Sequence, residues 1–213
     1  RAGVSVEVID AKREASLIGR GVAARLKLEG VRTLVVDIGG GSVEYLVAED
    51  GVEFVNESLP LGAGKLSRRF FPDFTTSPDA IAACRRRVES TLDPVARGVR
   101  ETGFAVAVFT AGAARTALAM ATARNLVAIA EGRAPFVPTS VVSELAAIVY
   151  AAPTVEERLA LAGVEPERAE ILSAGFIVLE ASLERCGAEG FTYSDYGTRA
   201  GAAFEALDEL EAR

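Results

Sequence analysis

Asp37-Ile38-Gly39-Gly40-Gly41-Ser42-Val43-Glu44 brings two acids, three glycines and a hydroxyl into one short stretch. An apolar run (Thr33-Leu34-Val35-Val36) precedes it and a second strand-like run (residues 45–47) follows, so the pattern is strand, glycine turn, strand. Successive glycines can gather bare backbone N–H groups around one point, with no Cβ atoms to hold a ligand away. A concave set of N–H groups is an anion site, with phosphate its commonest guest. Asp37 at the strand end and Glu44 just past the turn could hold a divalent cation, directly or through water. The loop is not a Walker A, because no Gly-Lys-Ser/Thr follows. It is not a dinucleotide fingerprint either, because the next element reads as strand rather than helix. A tight structural hairpin is the competing reading, and the residue types leave both open.

Histidine is absent from the 213 residues. That removes Ser-His-Asp and Cys-His nucleophilic chemistry and every His-ligated zinc site. Proton transfer near neutral pH would fall to a carboxylate, Lys, Tyr or Cys. The formal charge of −7 argues against a nucleic-acid partner. A polyanionic substrate stays admissible if a cationic patch or a metal ion offsets the repulsion. Lys65, Arg68 and Arg69, with the run Arg85-Arg86-Arg87, are the cationic clusters near the candidate elements, and charge runs are usually solvated faces. Cys84 and Cys186 lie far apart without metal spacing, and read as the reduced thiols of a cytoplasmic protein. No apolar run has membrane-spanning length, so no membrane partner is expected. No signal-peptide pattern occurs, although the first residue is Arg1 rather than methionine.

The elements that must position these residues follow from periodicity and turn chemistry. Residues 4–9 read as a strand and 14–28 as a helix. Strands are expected at 32–38, 43–48 and 52–59, then a short helix over 63–71. Ser77 as N-cap and Pro78 at the first helical position open a helix that runs to about 100. A strand at 104–109 precedes helices at 112–123, 140–152, 154–161, 173–186 and 198–211, with a short strand at 191–194 between the last two. Thr154 and Glu157 approach a capping box, Thr139 and Ser140 make a helix start, and Gly187 is a natural helix stop. Residues 132–138 form a Pro/Gly-rich link too short to separate two domains. Strands and helices intermix, so the class is α/β.

Together these segments resemble the exopolyphosphatase and guanosine-pentaphosphate phosphohydrolase (Ppx/GppA) phosphatase family, within the superfamily of actin, sugar kinases and heat-shock ATPases. The resemblance is carried by Val6-Glu7-Val8-Ile9 with Arg13-Glu14-Ala15-Ser16-Leu17-Ile18, by Asp37 to Glu44, and by Leu59-Pro60-Leu61-Gly62-Ala63. Further along it is carried by Ala111-Gly112-Ala113-Ala114-Arg115-Thr116, by Glu157-Arg158 with Glu167-Arg168-Ala169-Glu170, and by Ser194-Asp195-Tyr196-Gly197. It implies an actin-like (ribonuclease H-like) ATPase-superfamily domain, a mixed sheet flanked by helices. Residues 1–30 would be the end of a first-lobe strand and a crossing helix, and 31–213 the second lobe, with the N-terminal lobe absent. It implies that Glu14 is catalytic, activating the water that attacks a terminal phosphoryl group. Gly39, Gly40, Gly41 and Ser42 would hold phosphate, Asp37 and Glu44 would hold Mg2+, and Lys65, Arg68 and Arg69 would form a substrate track. The implied substrates are inorganic polyphosphate and guanosine pentaphosphate, and the implied partners are the missing lobe and, in the full-length form, a second copy. A non-catalytic phosphate- or nucleotide-binding regulatory module is the alternative. Two departures stand out. Ala113 replaces the threonine of the family's "aGT" turn, and Thr198-Arg199-Ala200 lacks the acid of its closing helix.

Overall fold

The structure, a computed structural model, describes residues 8–130 and 132–211. Three strands, β1 (Thr33–Ile38), β2 (Val43–Glu49) and β3 (Val52–Leu59), form an antiparallel meander. β4 (Val106–Thr110) adds in parallel to β1, and β6 (Gly190–Tyr193) in parallel to β4. β5 (Phe136–Pro138) closes the far edge antiparallel to β6, giving the mixed order β3-β2-β1-β4-β6-β5. β5 falls within the link expected over 132–138. Three residues carry too little periodicity to announce a strand, and this one exists because β6 offers it a partner. Of the strand expected at 4–9, residues 4–7 lie outside the described residues. Val8 to Asp10 are irregular, with Asp10 capping α1 (Ala11–Leu26) by accepting from the Arg13 N–H at 2.8 Å.

The remaining helices are α2 (Ala63–Phe70), α3 (Pro78–Thr102), α4 (Ala111–Ala123), α5 (Thr139–Tyr150), α6 (Val155–Leu159), α7 (Leu172–Cys186) and α8 (Thr198–Glu211). Their ends follow the expected chemistry. Ser77 accepts from Ala80 N–H ahead of Pro78, Thr154 and Glu157 close a full capping box, and Gly187 ends α7 at φ 75°. α5 differs: it starts at Thr139 behind Pro138, with no side-chain cap.

Alternation along the strands decides which face each side chain serves, since successive residues point to opposite sides. Leu34, Val36, Ile38, Val43, Tyr45, Val47, Ala107 and Phe109 turn to the large core, where α3, α4, α5 and α7 pack. α7 is apolar nearly all round and runs through the centre of that core, as such a helix must. Its one buried acid, Glu180, is held by Arg85 and by the Tyr150 hydroxyl at 2.6 Å. Arg85 therefore belongs to the core of the helical layer and not to a free cationic run.

The opposite face is thinner. Val35, Leu46 and Val108 meet Ile18 and Val22 of α1 there. α8 crosses α1 so closely that a Cβ on Gly201 would stand 1.8 Å from Leu17 O. Where α1 fails to cover the start of β1, a cavity of about 470 Å3 opens over Val31, Thr33, Val35 and Leu46. It is apolar at the base and carries none of the candidate site residues. No described helix is long and apolar enough to cross a membrane.

Arg158 organises the loops behind the helical layer. It is 1% exposed, and its guanidinium donates to Ala169 O (2.7 Å), Ala152 O (3.2 Å), Pro153 O (3.0 Å) and Phe74 O. Burial pulls its pKa below the usual arginine value. Gly163, at φ 90°, lets the same loop lie against α4, where a Cβ would meet Met120 N at 2.6 Å.

Candidate functional site

The registers of three strand pairs set one polar row across the thin face. Ser58 on β3 stands beside Glu44 on β2, Glu44 beside Asp37 on β1, and Asp37 beside Thr110 on β4. All four share the parity of Val35, Leu46 and Val108, so they face the α1 side of the sheet. The two hydroxyls at the ends donate inward, Thr110 Oγ1 to Asp37 Oδ2 at 2.5 Å and Ser58 Oγ to Glu44 Oε1 at 2.9 Å. Glu14, in the first turn of α1, acts electrostatically on both acids.

Burial is the main reason both carboxyls titrate above the ordinary range. For Asp37 the Thr110 bond opposes that rise and Glu14 adds to it. For Glu44 the hydroxyls of Ser42 and Ser58 oppose it, while Glu14 and Asp37 add to it. Two adjacent cross-strand carboxylates with a third nearby are mutually repulsive, and a cation between them relieves the strain. Among the described residues, no three acids come close enough to hold a metal by themselves.

The glycine turn sits at the end of the same two strands. Gly39 N–H donates to Ser42 O at 3.1 Å and closes the hairpin. The N–H groups of Gly40, Gly41 and Ser42 make no hydrogen bond to the described residues. The turn's carbonyls are held from behind by α2: Ala63 N–H donates to Gly39 O and Lys65 N–H to Gly40 O, each at 3.0 Å. Those N–H groups are the orphans of a helix N-terminus, so loop and helix satisfy each other. Gly62 makes the contact possible, because a Cβ there would lie 2.3 Å from the Gly41 carbonyl carbon. Lys65, Arg68 and Arg69 ride on this helix as exposed side chains, with the Arg68 guanidinium over Gly64.

A profile of the Ppx/GppA phosphatase family matches residues 1–210. The chain belongs to that family. A guanosine-5'-triphosphate,3'-diphosphate pyrophosphatase of Vibrio parahaemolyticus is 29% identical over 98% of this chain and 40% of its own length. Exopolyphosphatase 2 of Mycobacterium tuberculosis is 31% identical over 94% of this chain and 64% of its own length. The chain thus spans less than two thirds of the length of each of these curated Ppx/GppA relatives. Among solved structures, an exopolyphosphatase from Cytophaga hutchinsonii superposes with a TM-score of 0.85 at 27% identity, over 97% of this chain and 66% of that one. A Ppx/GppA family member from Aquifex aeolicus gives 0.82 at 26%, over 97% and 66%. The fold is therefore the actin-like one that the motifs imply.

Four residues of this Ppx/GppA chain that the candidate site involves have no role legible in its sequence: Ser58, Gly62, Thr110 and Arg168. The guanidinium of Arg168 occupies the space beside Gly112 that a Cβ would fill, with Cζ 2.3 Å from that position. It shares a cleft with Gly39, and its buried Nε has no hydrogen-bond partner. Arg168 lies in the Glu167-Arg168-Ala169-Glu170 segment that resembles the family, but no role can be read for it from the sequence. Arg158 sets it in place by gripping the next carbonyl in the chain, Ala169 O.

The asymmetry of the turn makes a specific expectation. Inorganic phosphate titrated into the chain should shift the amide resonances of Gly40, Gly41 and Ser42, and shift Gly39 least. A uniform response, or one centred on Gly39, would mean that the open N–H groups are not the anion site.

Proposed function

We propose that this chain supplies one wall of a phosphohydrolase cleft in which the terminal phosphoanhydride of inorganic polyphosphate or guanosine pentaphosphate is hydrolysed. The observation that carries the reading is the cross-strand pair Asp37 and Glu44 beside a turn whose Gly40, Gly41 and Ser42 N–H groups make no hydrogen bond to the described residues. Phosphoryl transfer needs positioned water and stabilised charge more than covalent help from the protein. Glu14 is the general base, orienting and deprotonating the attacking water. Gly40, Gly41 and Ser42 receive the phosphoryl oxygens, with Gly39 closing their turn.

Asp37 and Glu44 hold Mg2+, which supplies charge neutralisation at the phosphate when bound. Lys65, Arg68 and Arg69 offer positive charge along α2 to a longer phosphate chain, and Arg168 offers it from the α4 side. One detail favours a ligand over a structural hairpin. Gly40 and Gly41 lack positive φ, and a Cβ at either would meet nothing within 4 Å. Neither backbone nor packing requires glycine there, so the demand comes from something that approaches the loop.

In this reading residues 31–213 form one lobe and α1 leads into it from another part of the polypeptide, which the greater length of the relatives supports. Because this chain supplies one wall of the cleft and the relatives are longer, the 213-residue chain alone should release little phosphate. The test measures phosphate release from long-chain polyphosphate and from guanosine pentaphosphate, with Mg2+ and with chelator. It compares this chain with the longest form of the protein. The longest form should turn over one or both substrates in a Mg2+-dependent way. Binding without turnover there would assign the site to a regulatory module instead.

A further inference from the structure

Thr110 stands at the N-cap of α4, where a threonine hydroxyl ordinarily accepts from the first turn of the helix. It makes no such cap. Its hydroxyl is turned across the β1–β4 pair and donates to Asp37 Oδ2 instead. The side chain is 2% exposed, so no solvent competes for that bond. Ala111, the next residue, is held at φ 62°, in the left-handed region that L-residues avoid. Such strain persists only where the surroundings impose it, and it concentrates at functional sites. At the other end of the polar row, Ser58 makes the matching bond to Glu44 Oε1.

We propose that Thr110 and Ser58 are positioning residues that each engage one oxygen of an acid from outside the pair, fixing the two carboxyls in the orientation that a shared cation requires. The geometry on the Asp37 side separates its two oxygens. Oδ2 faces Thr110 and Gly197, whereas Oδ1 faces Gly39 and the turn. A carboxylate with one oxygen tied is fixed in rotation, and its other oxygen is presented at a defined place. Hydroxyls that hold ligands in this way act on metal affinity through the ligand.

The inference rests on the reading of Asp37 and Glu44 as cation ligands, and the experiment separates the two. Mg2+ is titrated calorimetrically into the 213-residue chain in the presence of inorganic phosphate. Thr110→Val, which keeps shape and removes the hydroxyl, should weaken Mg2+ binding by about tenfold, the lower end of outer-shell effects. Thr110→Ser should restore it, and Ser58→Ala should weaken it as Thr110→Val does. Phosphate-induced shifts at Gly40 to Ser42 without Mg2+ should stay as in the unsubstituted chain, which a general loosening of the fold would not allow. Wild-type Mg2+ affinity in Thr110→Val, with affinity lost in Asp37→Asn, overturns the positioning role alone. Undiminished affinity in Asp37→Asn overturns the cation reading and the positioning role with it. If Thr110→Val does not fold, Ser58→Ala at its half-buried position carries the same comparison.

Discussion

Glu14→Gln, made in the longest form of the protein that releases phosphate, should lower kcat by roughly 10²–10⁴ while leaving substrate binding nearly intact. Glutamine preserves the size of the side chain and its hydrogen bonding, but its amide cannot take a proton from water. Three features of the fold make the position suited to that task. Glu14 sits in the first turn of a helix whose start is fixed by the Asp10 cap. That helix is clamped to the sheet through Ile18 and Val22. The acid is also close enough to Asp37 and Glu44 to affect the titration of both. Single-turnover rates and equilibrium binding of a slowly hydrolysed phosphate chain would separate chemistry from affinity. A Glu14→Gln enzyme with wild-type kcat would remove the general base from the proposed mechanism, and the binding-module reading would take its place.

Arg158→Leu should cost about 3–5 kcal/mol of folding stability, the range for removing one partner from a buried charged network. The leucine fills part of the volume yet offers no donor to the carbonyls of Phe74, Ala152, Pro153 and Ala169. Pro153 O keeps the Thr76 N–H, but the carbonyls of Phe74, Ala152 and Ala169 lose their guanidinium donor. Lysine should rescue little, because its donors radiate from one nitrogen and cannot reach four carbonyls on three loops. Urea unfolding of the three chains measures this directly. A loss below about 1 kcal/mol for Arg158→Leu, the ordinary size of a point substitution, would show that water replaces the guanidinium. The effect should also reach the site, since the Ala169 carbonyl that Arg158 grips adjoins Arg168.

Local signals in the sequence were enough for most of the architecture. The triple-glycine turn, the Ser77-Pro78 start, the Thr154 capping box and the Gly187 stop each depend on neighbours a few residues away. β5 escaped because three residues become a strand only by pairing with β6, which lies more than fifty positions further on. The site divides along the same line. Asp37, Gly39 to Ser42 and Glu44 occupy one continuous motif, and Glu14 was found through family likeness. Thr110 acts across 73 positions, Gly62 matters through the loop it lies beneath, and the place of Arg168 beside Gly112 shows only in the fold, although its segment carries part of the family likeness. No periodicity encodes such pairings. The shares of the turn also differ: Gly39 reads like its two neighbours in sequence, yet its N–H closes the hairpin while theirs stay open.

The clasp between the glycine turn and α2 bears on how such a site could be moved to another protein. The turn does not hold its own shape: its carbonyls are fixed by the N–H groups of Ala63 and Lys65, and its backbone rests on Gly62. Grafting the motif from Asp37 to Glu44 onto a foreign hairpin would carry over the amino acids but not the geometry. The smallest portable unit runs from β1 to the end of α2, because the shape of the proposed anion site is written partly in that helix.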